Sequence, residues 1–87
     1  MKIKYHRKFD KAYKKLPAGL KKKTKQALRR FIQNPTHPSL RNHALTGRMK
    51  GLRAFWITEK VRVIFEERDG YILVTFLDVG GHDEVYR

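Results

Sequence analysis

Three mainly apolar runs fill most of the second half of the chain, and they constrain its fold more than any other feature. The runs cover residues 52–57, 61–67 and 71–79. The links between them, 58–60 and 68–70, are three residues long, and the second contains Asp and Gly. Short links of this kind are typical of antiparallel hairpins. We therefore predict three consecutive strands joined by two hairpins.

The first half of the chain predicts one strand followed by two helices. Residues 2–5 alternate lysines with an isoleucine and a tyrosine, as a short half-buried strand does. Pro17 ends the first helix, and a second runs over about residues 18–33 until an Asn-Pro pair stops it. The first helix is indicated by apolar side chains at helical spacing, namely Phe9, Ala12, Tyr13 and Leu16.

Residues 34–51 carry two prolines, two histidines and two glycines without clear periodicity. They predict a long loop with one turn, and loops of this length in compact domains are often functional. The resulting order is β-α-α-β-β-β. We therefore predict an α+β fold in which two N-terminal helices pack on one face of an antiparallel sheet, in a single domain of residues 1–87.

The positive charge of the chain is concentrated in its first half. The formal net charge is +13, and residues 1–50 contain sixteen Lys or Arg against the single acidic residue Asp10. Residues 51–87 contain five basic and seven acidic residues. Such a basic surface attracts polyanions and releases counterions on binding. The excess favours a nucleic-acid partner over lysines that merely solvate helix faces.

Composition also disfavours several kinds of site and location. The chain has no cysteine, which excludes disulfides and thiolate metal sites and favours the cytoplasm. Its four histidines lack metal-ligand spacing and it has no glycine-rich phosphate loop, so we predict neither a metal nor another cofactor. No apolar run is long enough for a signal peptide or a membrane span. We predict a soluble cytoplasmic protein.

Arg62 is a candidate phosphate ligand in the middle of the predicted sheet. It points to the face opposite the apolar residues 61, 63 and 65. A guanidinium there is either paired internally or lines a concave site for a phosphate or carboxylate. A hairpin across residues 58–60 places Arg62 opposite Trp56, which we interpret as a packing residue.

Arg53 is a second candidate, at the start of the neighbouring strand. The same hairpin register leaves it nearer residues 65–66. It either pairs with Glu66 or Glu67 or contacts the substrate directly, and the sequence leaves both open. One sheet face could carry Arg53 and Arg62 together.

The C-terminal segment joins a glycine pair to a histidine and a tyrosine. Gly80-Gly81 allows a sharp bend after the last strand. His82 and Tyr86 are four residues apart, so a helical turn places them on one side of the backbone. Histidine is a general acid or base, arginine stabilises a phosphorane and an aromatic stacks on a base. Together they are the parts of a metal-independent ribonuclease, in which the RNA's 2′-OH is the nucleophile.

Three segments resemble the RelE/ParE superfamily of toxins from bacterial toxin–antitoxin modules. They read HALTGRMKGLRAFWI, VRVIFEE and VGGHDEVY, and their most specific patterns are L-x-G-x-x-K-G-x-R, V-R-V-I-F and G-H-x-x-V-Y. The likeness covers nearly the whole chain and is stronger to the RelE and YafQ branches than to ParE. It implies a RelE-like sheet with two N-terminal helices, and ribosome-dependent cleavage of mRNA.

The resemblance also implies roles for single residues. Arg62 stabilises the scissile phosphate, Arg53 contacts it, and His82 is the acid or base. Tyr86 stacks on or orients the substrate, and His43 aligns with a loop histidine of the YafQ branch that makes it the candidate general base. RNA contacts are expected from helix and loop cations, namely Lys21, Lys22, Lys25, Arg48 and Lys50.

The chain departs from the family pattern at three positions. Trp56 and Lys60 stand where the YafQ branch has a catalytic histidine and an aspartate, and Phe55 stands where RelE has a lysine. Two alternatives to the endoribonuclease therefore stay open: a ParE-like inhibitor of DNA gyrase without hydrolytic activity, and a degenerate toxin that mainly binds its antitoxin. In each case the basic surface predicts an antitoxin with an acidic, partly disordered segment.

Overall fold

The computed structural model describes residues 1–86 and has an α+β fold built on one five-stranded sheet. Its strands are β1 (Lys2–Tyr5), β2 (His43–Ala44), β3 (Arg53–Trp56), β4 (Val61–Arg68) and β5 (Leu73–Gly81). They lie side by side in the order β1-β5-β4-β3-β2. Arg87, the last residue of the predicted domain 1–87, lies outside the described residues. The predicted fold class and architecture are confirmed.

Three helices accompany the sheet: α1 (Arg7–Lys14), α2 (Ala18–Gln33) and α3 (His82–Val85). The His6 ring caps α1, since its Nδ1 accepts the N–H of Lys8 at 3.0 Å. Asn34 ends α2 in an extended conformation because the proline after it disfavours helical geometry. No helix within residues 1–86 is long and apolar enough to cross a membrane.

Both predicted hairpins are present, and the first has the predicted register. Trp56 lies opposite Arg62 in the antiparallel pair of β3 and β4. In the second hairpin, β5 begins at Leu73 rather than at residue 71 and runs on to Gly81. The delay arises because residues 69–71 all have positive φ, from 54° to 70°, so the chain becomes extended only after them.

Two pairings of the sheet were not predicted. β1 joins the outer edge of β5 in parallel, with Lys2 opposite Leu73, so the sheet is antiparallel only from β5 to β2. Within the predicted loop of residues 34–51, β2 pairs with β3 and two 3₁₀ turns form, at Pro38–Leu40 and Gly47–Met49. A two-residue strand leaves no periodicity in a sequence, because alternation needs at least four residues to be recognised.

The two faces of the sheet are covered differently. The main core lies between the sheet and the helices α1 and α2, and its largest buried side chains include Phe31, Phe55, Phe65 and Phe76. A smaller cluster on the other face consists of Ala54, Ile64 and Val85, with side chains of residues 45–52 packed against it. This second face presents Arg62, because Arg62 and Ile64 lie two positions apart on β4.

Candidate active site

A cleft of about 540 Å³ opens where the link between β3 and β4 meets the beginning of α3. Its walls come from two segments, residues 56–62 and 81–84, that are far apart in the sequence but adjacent in the sheet. The lining residues are Trp56, Glu59, Lys60, Arg62, Gly81, His82, Asp83 and Glu84. The structure thus brings two of the predicted catalytic residues, Arg62 and His82, into one cleft.

Arg62 is held firmly in the wall of this cleft. The residue is only 8% exposed, and its Nη1 donates to the carbonyl oxygens of Thr58, at 2.9 Å, and Glu59. The guanidinium carbon lies 4.2 Å from the centre of the Trp56 ring. Among residues 1–86, no carboxylate lies within ion-pair distance of Arg62. The guanidinium is therefore fixed by neutral groups and keeps its charge available for an anion.

The turn from β5 into α3 depends on Gly81. The Gly81 N–H donates to Oε1 of Glu84 at 3.2 Å, which caps the short helix. A Cβ at residue 81 would lie 3.0 Å from that same oxygen, so a larger residue would require the Glu84 carboxylate to shift by a few tenths of an ångström. The N–H of His82 donates to the Lys60 carbonyl at 3.0 Å and ties α3 to the β3–β4 link.

His82 and Tyr86 form the pair that the sequence spacing predicts. Their rings meet edge to face, with centroids 4.4 Å apart and an interplanar angle of 78°. Tyr86 is half-buried against the Ala54 cluster, whereas the His82 side chain is 59% exposed. Tyr86 therefore supports an imidazole that stays accessible from solvent.

Asp83 is a member of the site that sequence reasoning missed. Its Oδ1 lies 3.6 Å from Nδ1 of His82, so the two form an ion pair whenever the imidazole is protonated. The only signal in the sequence was adjacency to His82, which does not reveal which way a carboxylate points. Because the Asp83 side chain is fully exposed, this contact lies in solvent and is weak.

The structure does not bring Arg53 into the cleft. Arg53 lies opposite Phe65, a residue of the main core, so it projects toward the helix side of the sheet. Arg62 lies opposite Trp56 and projects the other way. The expectation that one sheet face carries both arginines is wrong, because Arg53 and Trp56 are an odd number of positions apart on β3.

Arg53 is bound by a neutral side chain of the loop, and its contact with the substrate stays a prediction. Its Nε donates to Oδ1 of Asn42 at 2.9 Å. Asn42 in turn donates to the hydroxyl of Tyr71 at 2.9 Å and to the carbonyl of Pro35 at 3.0 Å. The guanidinium therefore fastens the loop after α2 to the sheet. Within the described chain, the ion pairs do not include one from Arg53 to Glu66 or Glu67.

His43 lies in β2, outside the lining of the cleft. It pairs with Ala54 of the smaller cluster, which places it on the same sheet face as Arg62. Its Nδ1 lies 2.7 Å from the carbonyl oxygen of Arg41. A carbonyl only accepts, so Nδ1 carries the proton and Nε2 of the neutral ring is a proton acceptor.

The predicted RNA-binding cations fall into two groups on different layers of the molecule. Arg48 and Lys50 are exposed beside the 3₁₀ turn that precedes β3. The other group lies on α2, which packs against the opposite face of the sheet, and consists of Lys21, Lys22 and Lys25. Lys22 and Lys25 are exposed and Lys21 is half-buried. Over residues 1–86, no cluster of three or more His, Asp or Glu side chains is arranged to hold a metal ion.

Comparison with solved structures finds the same fold in several bacterial toxins. YafQ from E. coli strain BL21(DE3) superimposes with a TM-score of 0.78 at 23% identity, over 98% of this chain and 97% of that one. A YoeB/ParE toxin from Agrobacterium tumefaciens gives 0.76 at 18% identity, over 94% and 99% of the two chains. The E. coli DinJ–YafQ complex gives 0.71 at 25% identity, over 98% and 97%. No curated protein sequence matches the chain.

A family model decides the assignment. The model of the YafQ family, described as the bacterial toxin of a type II toxin–antitoxin system, matches residues 1–87. This match covers the full sequence and agrees with the structural similarities and with the resemblance of the sequence motifs. The chain therefore belongs to the YafQ family of toxins from bacterial type II toxin–antitoxin systems.

Proposed function

We propose that this toxin is a ribosome-dependent endoribonuclease that cleaves mRNA without a metal or another cofactor. The observation that carries the proposal is the single cleft in which Arg62 and His82 meet, with Tyr86 packed on the His82 ring. The Arg62 guanidinium has no ion-pair partner among residues 1–86, so it can stabilise the extra negative charge that a phosphodiester gains in the transition state. The accessible His82 imidazole can transfer a proton in the same step.

The reaction is an internal transfer within the RNA. The 2′-oxygen attacks the adjacent phosphorus, the new P–O2′ bond forms and the P–O5′ bond breaks. A base accepts the 2′-hydroxyl proton and an acid donates a proton to the departing 5′-oxygen. The products are a 2′,3′-cyclic phosphate and a 5′-hydroxyl end, so neither a protein nucleophile nor a water molecule is consumed.

His82 is the general acid in this scheme, and Arg62 stabilises the phosphorane. Tyr86 packs edge to face on the His82 ring, which lines the cleft beside Arg62. His43 is the general base. The His43 Nδ1–H donates to the Arg41 carbonyl, so Nε2 is the nitrogen that can accept a proton. His43 lies on the same sheet face as Arg62.

Ribosome dependence is supported by the distribution of cations. Two groups of cations lie outside the cleft, namely the exposed lysines of α2 and the pair Arg48 and Lys50. From there they cannot contact the scissile phosphate, but they can bind phosphates of ribosomal RNA. Action on translating ribosomes also requires a cytoplasmic location.

The partner we expect is a cognate antitoxin with an acidic, partly disordered segment. An E. coli YafQ of the same fold has been solved in complex with DinJ. A surface with the net charge of this chain, +13, is complementary to such a segment, which orders itself on binding.

The decisive experiment adds purified toxin to ribosomes translating a defined message and identifies the ends of the fragments. We expect cuts inside the translated region, with 2′,3′-cyclic phosphate and 5′-hydroxyl ends, and none with His82→Ala. Intact message combined with inhibition of gyrase supercoiling would favour the ParE-like alternative. Intact message and normal supercoiling, with antitoxin binding retained, would identify a degenerate toxin.

A further inference from the structure

Trp56 is a large aromatic residue that lies beside the cleft rather than in the core. Neither of the two hydrophobic clusters within residues 1–86 includes it. It is half-buried and lines the cleft together with Arg62 and His82. Trp56 therefore packs on the sheet face through guanidinium groups, beside the cleft and outside the core.

The neighbours of the Trp56 ring are two guanidinium groups. Arg62 lies over it at 4.2 Å and Arg41 at 5.0 Å, measured from the guanidinium carbon to the ring centre. Arg62 is buried and fixed by its carbonyl partners, whereas Arg41 is exposed. In the described chain, no carboxylate forms an ion pair with Arg41.

The backbone holds Arg41 in place while its side chain remains adaptable. Arg41 has a φ of 51°, in the left-handed region, and its N–H donates to the Pro38 carbonyl at 3.3 Å. Its own carbonyl oxygen lies against the His43 ring at 2.7 Å. An exposed contact between a guanidinium and an aromatic ring is weak, so the side chain can exchange the ring for a phosphate at little cost.

We propose that Trp56 and Arg41 form a nucleotide subsite beside the catalytic cleft. One unpaired base of the RNA stacks on the Trp56 indole, and Arg41 leaves the ring to bind the phosphate of that nucleotide. This proposal rests on the ribonuclease function proposed above, and it identifies single-stranded RNA next to the scissile linkage as the ligand.

The chemistry of the surface favours this ligand. Proteins bind single strands by combining aromatic platforms for the bases with cations for the backbone, and Arg41, Trp56 and Arg62 present that alternation. The Trp56 ring contacts the Arg62 guanidinium, which binds the attacked phosphate in the proposed mechanism. A base stacked on Trp56 therefore belongs to a nucleotide directly before or after that phosphate. Trp56 thus acts as a residue that positions the substrate and selects for an unpaired base.

The chain contains one tryptophan, so its intrinsic fluorescence reports on the stack directly. The probe is a short single-stranded oligoribonucleotide with 2′-O-methyl groups throughout, which binds but cannot cleave itself. We expect saturable quenching of the wild-type fluorescence. A labelled copy of the oligonucleotide, followed by anisotropy, gives the affinity of variants that lack the indole.

Variants separate stacking from folding. Trp56→Leu should weaken binding about 5- to 150-fold, the range measured when a base loses its aromatic platform. Trp56→Phe should retain most of the affinity, and Arg41→Met should lower the affinity and its salt dependence together. Tyr5→Leu is the matched control, since Tyr5 is an exposed aromatic packed on Phe9, away from the cleft. Urea unfolding shows that each variant is folded.

Cleavage on translating ribosomes supplies the second readout. We expect Trp56→Leu to cut slowly and with an altered choice of site, and Trp56→Phe to cut like wild type. Equal cleavage by the two variants, or anisotropy that shows binding without quenching, overturns the subsite. If the wild type binds and is quenched but does not cleave, the subsite stands and the ribonuclease function fails. A wild type that neither binds nor cleaves overturns both.

Discussion

The N–H of His82 donates to the carbonyl oxygen of Lys60 at 3.0 Å, which links the C-terminal helix to the turn that holds Arg62. The two preceding carbonyls of this turn, those of Thr58 and Glu59, accept from Nη1 of Arg62. One three-residue link thus contacts both the guanidinium of Arg62 and the backbone of His82. Rigid support of this kind is what a reacting geometry requires.

Replacement of Arg62 by lysine tests whether the shape of the guanidinium matters beyond its charge. A lysine cannot reproduce the fork that reaches the turn carbonyls while facing a phosphate. We expect the free energy of unfolding in urea to fall by about 1–3 kcal/mol, because two part-buried hydrogen bonds worth about 0.5–1.5 kcal/mol each are lost. Cleavage should fall about 10²- to 10³-fold in single-turnover assays.

Arg68→Lys is the control for that change, since Arg68 is an exposed arginine on the same strand that pairs with Glu66 at 3.2 Å. It should alter the free energy of unfolding by less than about 0.5 kcal/mol. Cleavage by Arg62→Lys at the wild-type rate would show that a point charge suffices and that the fork has no catalytic role.

His82→Gln should remove proton transfer and leave the fold intact. The His82 side chain is 59% exposed, so the substitution buries no polar group. We expect cleavage to slow by about 10²- to 10⁴-fold while the midpoint of urea unfolding stays unchanged. His6→Gln changes another exposed histidine and should cleave normally. If both variants lose activity equally, His82 is not the acid.

Tyr86→Phe and Tyr86→Ala separate the aromatic ring from the hydroxyl. The phenylalanine keeps the edge-to-face contact with His82 and the packing against the Ala54 cluster, so cleavage should stay near the wild-type rate. The alanine loses the ring pair, worth about 0.5–1.5 kcal/mol, in addition to buried apolar area. Loss of activity in Tyr86→Phe would assign the chemistry to the hydroxyl instead.

Arg53→Met should affect stability and leave the chemical step unchanged. It leaves Asn42 Oδ1 without its donor, and we expect the free energy of unfolding to drop by about 1–3 kcal/mol. Tyr71→Phe removes another partner of the same asparagine, so the two changes should combine non-additively. A cleavage defect in fully folded Arg53→Met, measured per active molecule, would restore the direct role that the resemblance implies.

Arg62 and Arg53 differ in how much of their structural setting could be predicted from the sequence. A three-residue link sets the hairpin register, so the pairing of Arg62 with Trp56 followed from counting residues. The face of Arg53 follows from the same count, since Arg53 is three positions from Trp56. Its partner Asn42 comes from a loop without periodicity, so the hydrogen bond between them could not be predicted. The parallel pairing of β1 joins segments about 70 residues apart, and no local pattern encodes such a contact.

The last prediction concerns the lysines of α2 and the proposed binding to the ribosome. Lys21, Lys22 and Lys25 lie on the helical layer, on the side of the sheet opposite Arg62, so changing all three to Gln should weaken ribosome binding and spare the chemical step. Each lost phosphate contact lowers the slope of log affinity against log salt by about 0.7–0.9, so the slope should decrease by about 2 to 3. Filter binding at several salt concentrations measures it. The matched control converts Lys11 and Lys14 of α1, together with Lys15 at its C-terminal cap, to Gln, which removes the same charge from the adjacent helix. Equal slopes for the two triple variants would mean that the net charge attracts the ribosome and that α2 makes no specific phosphate contacts.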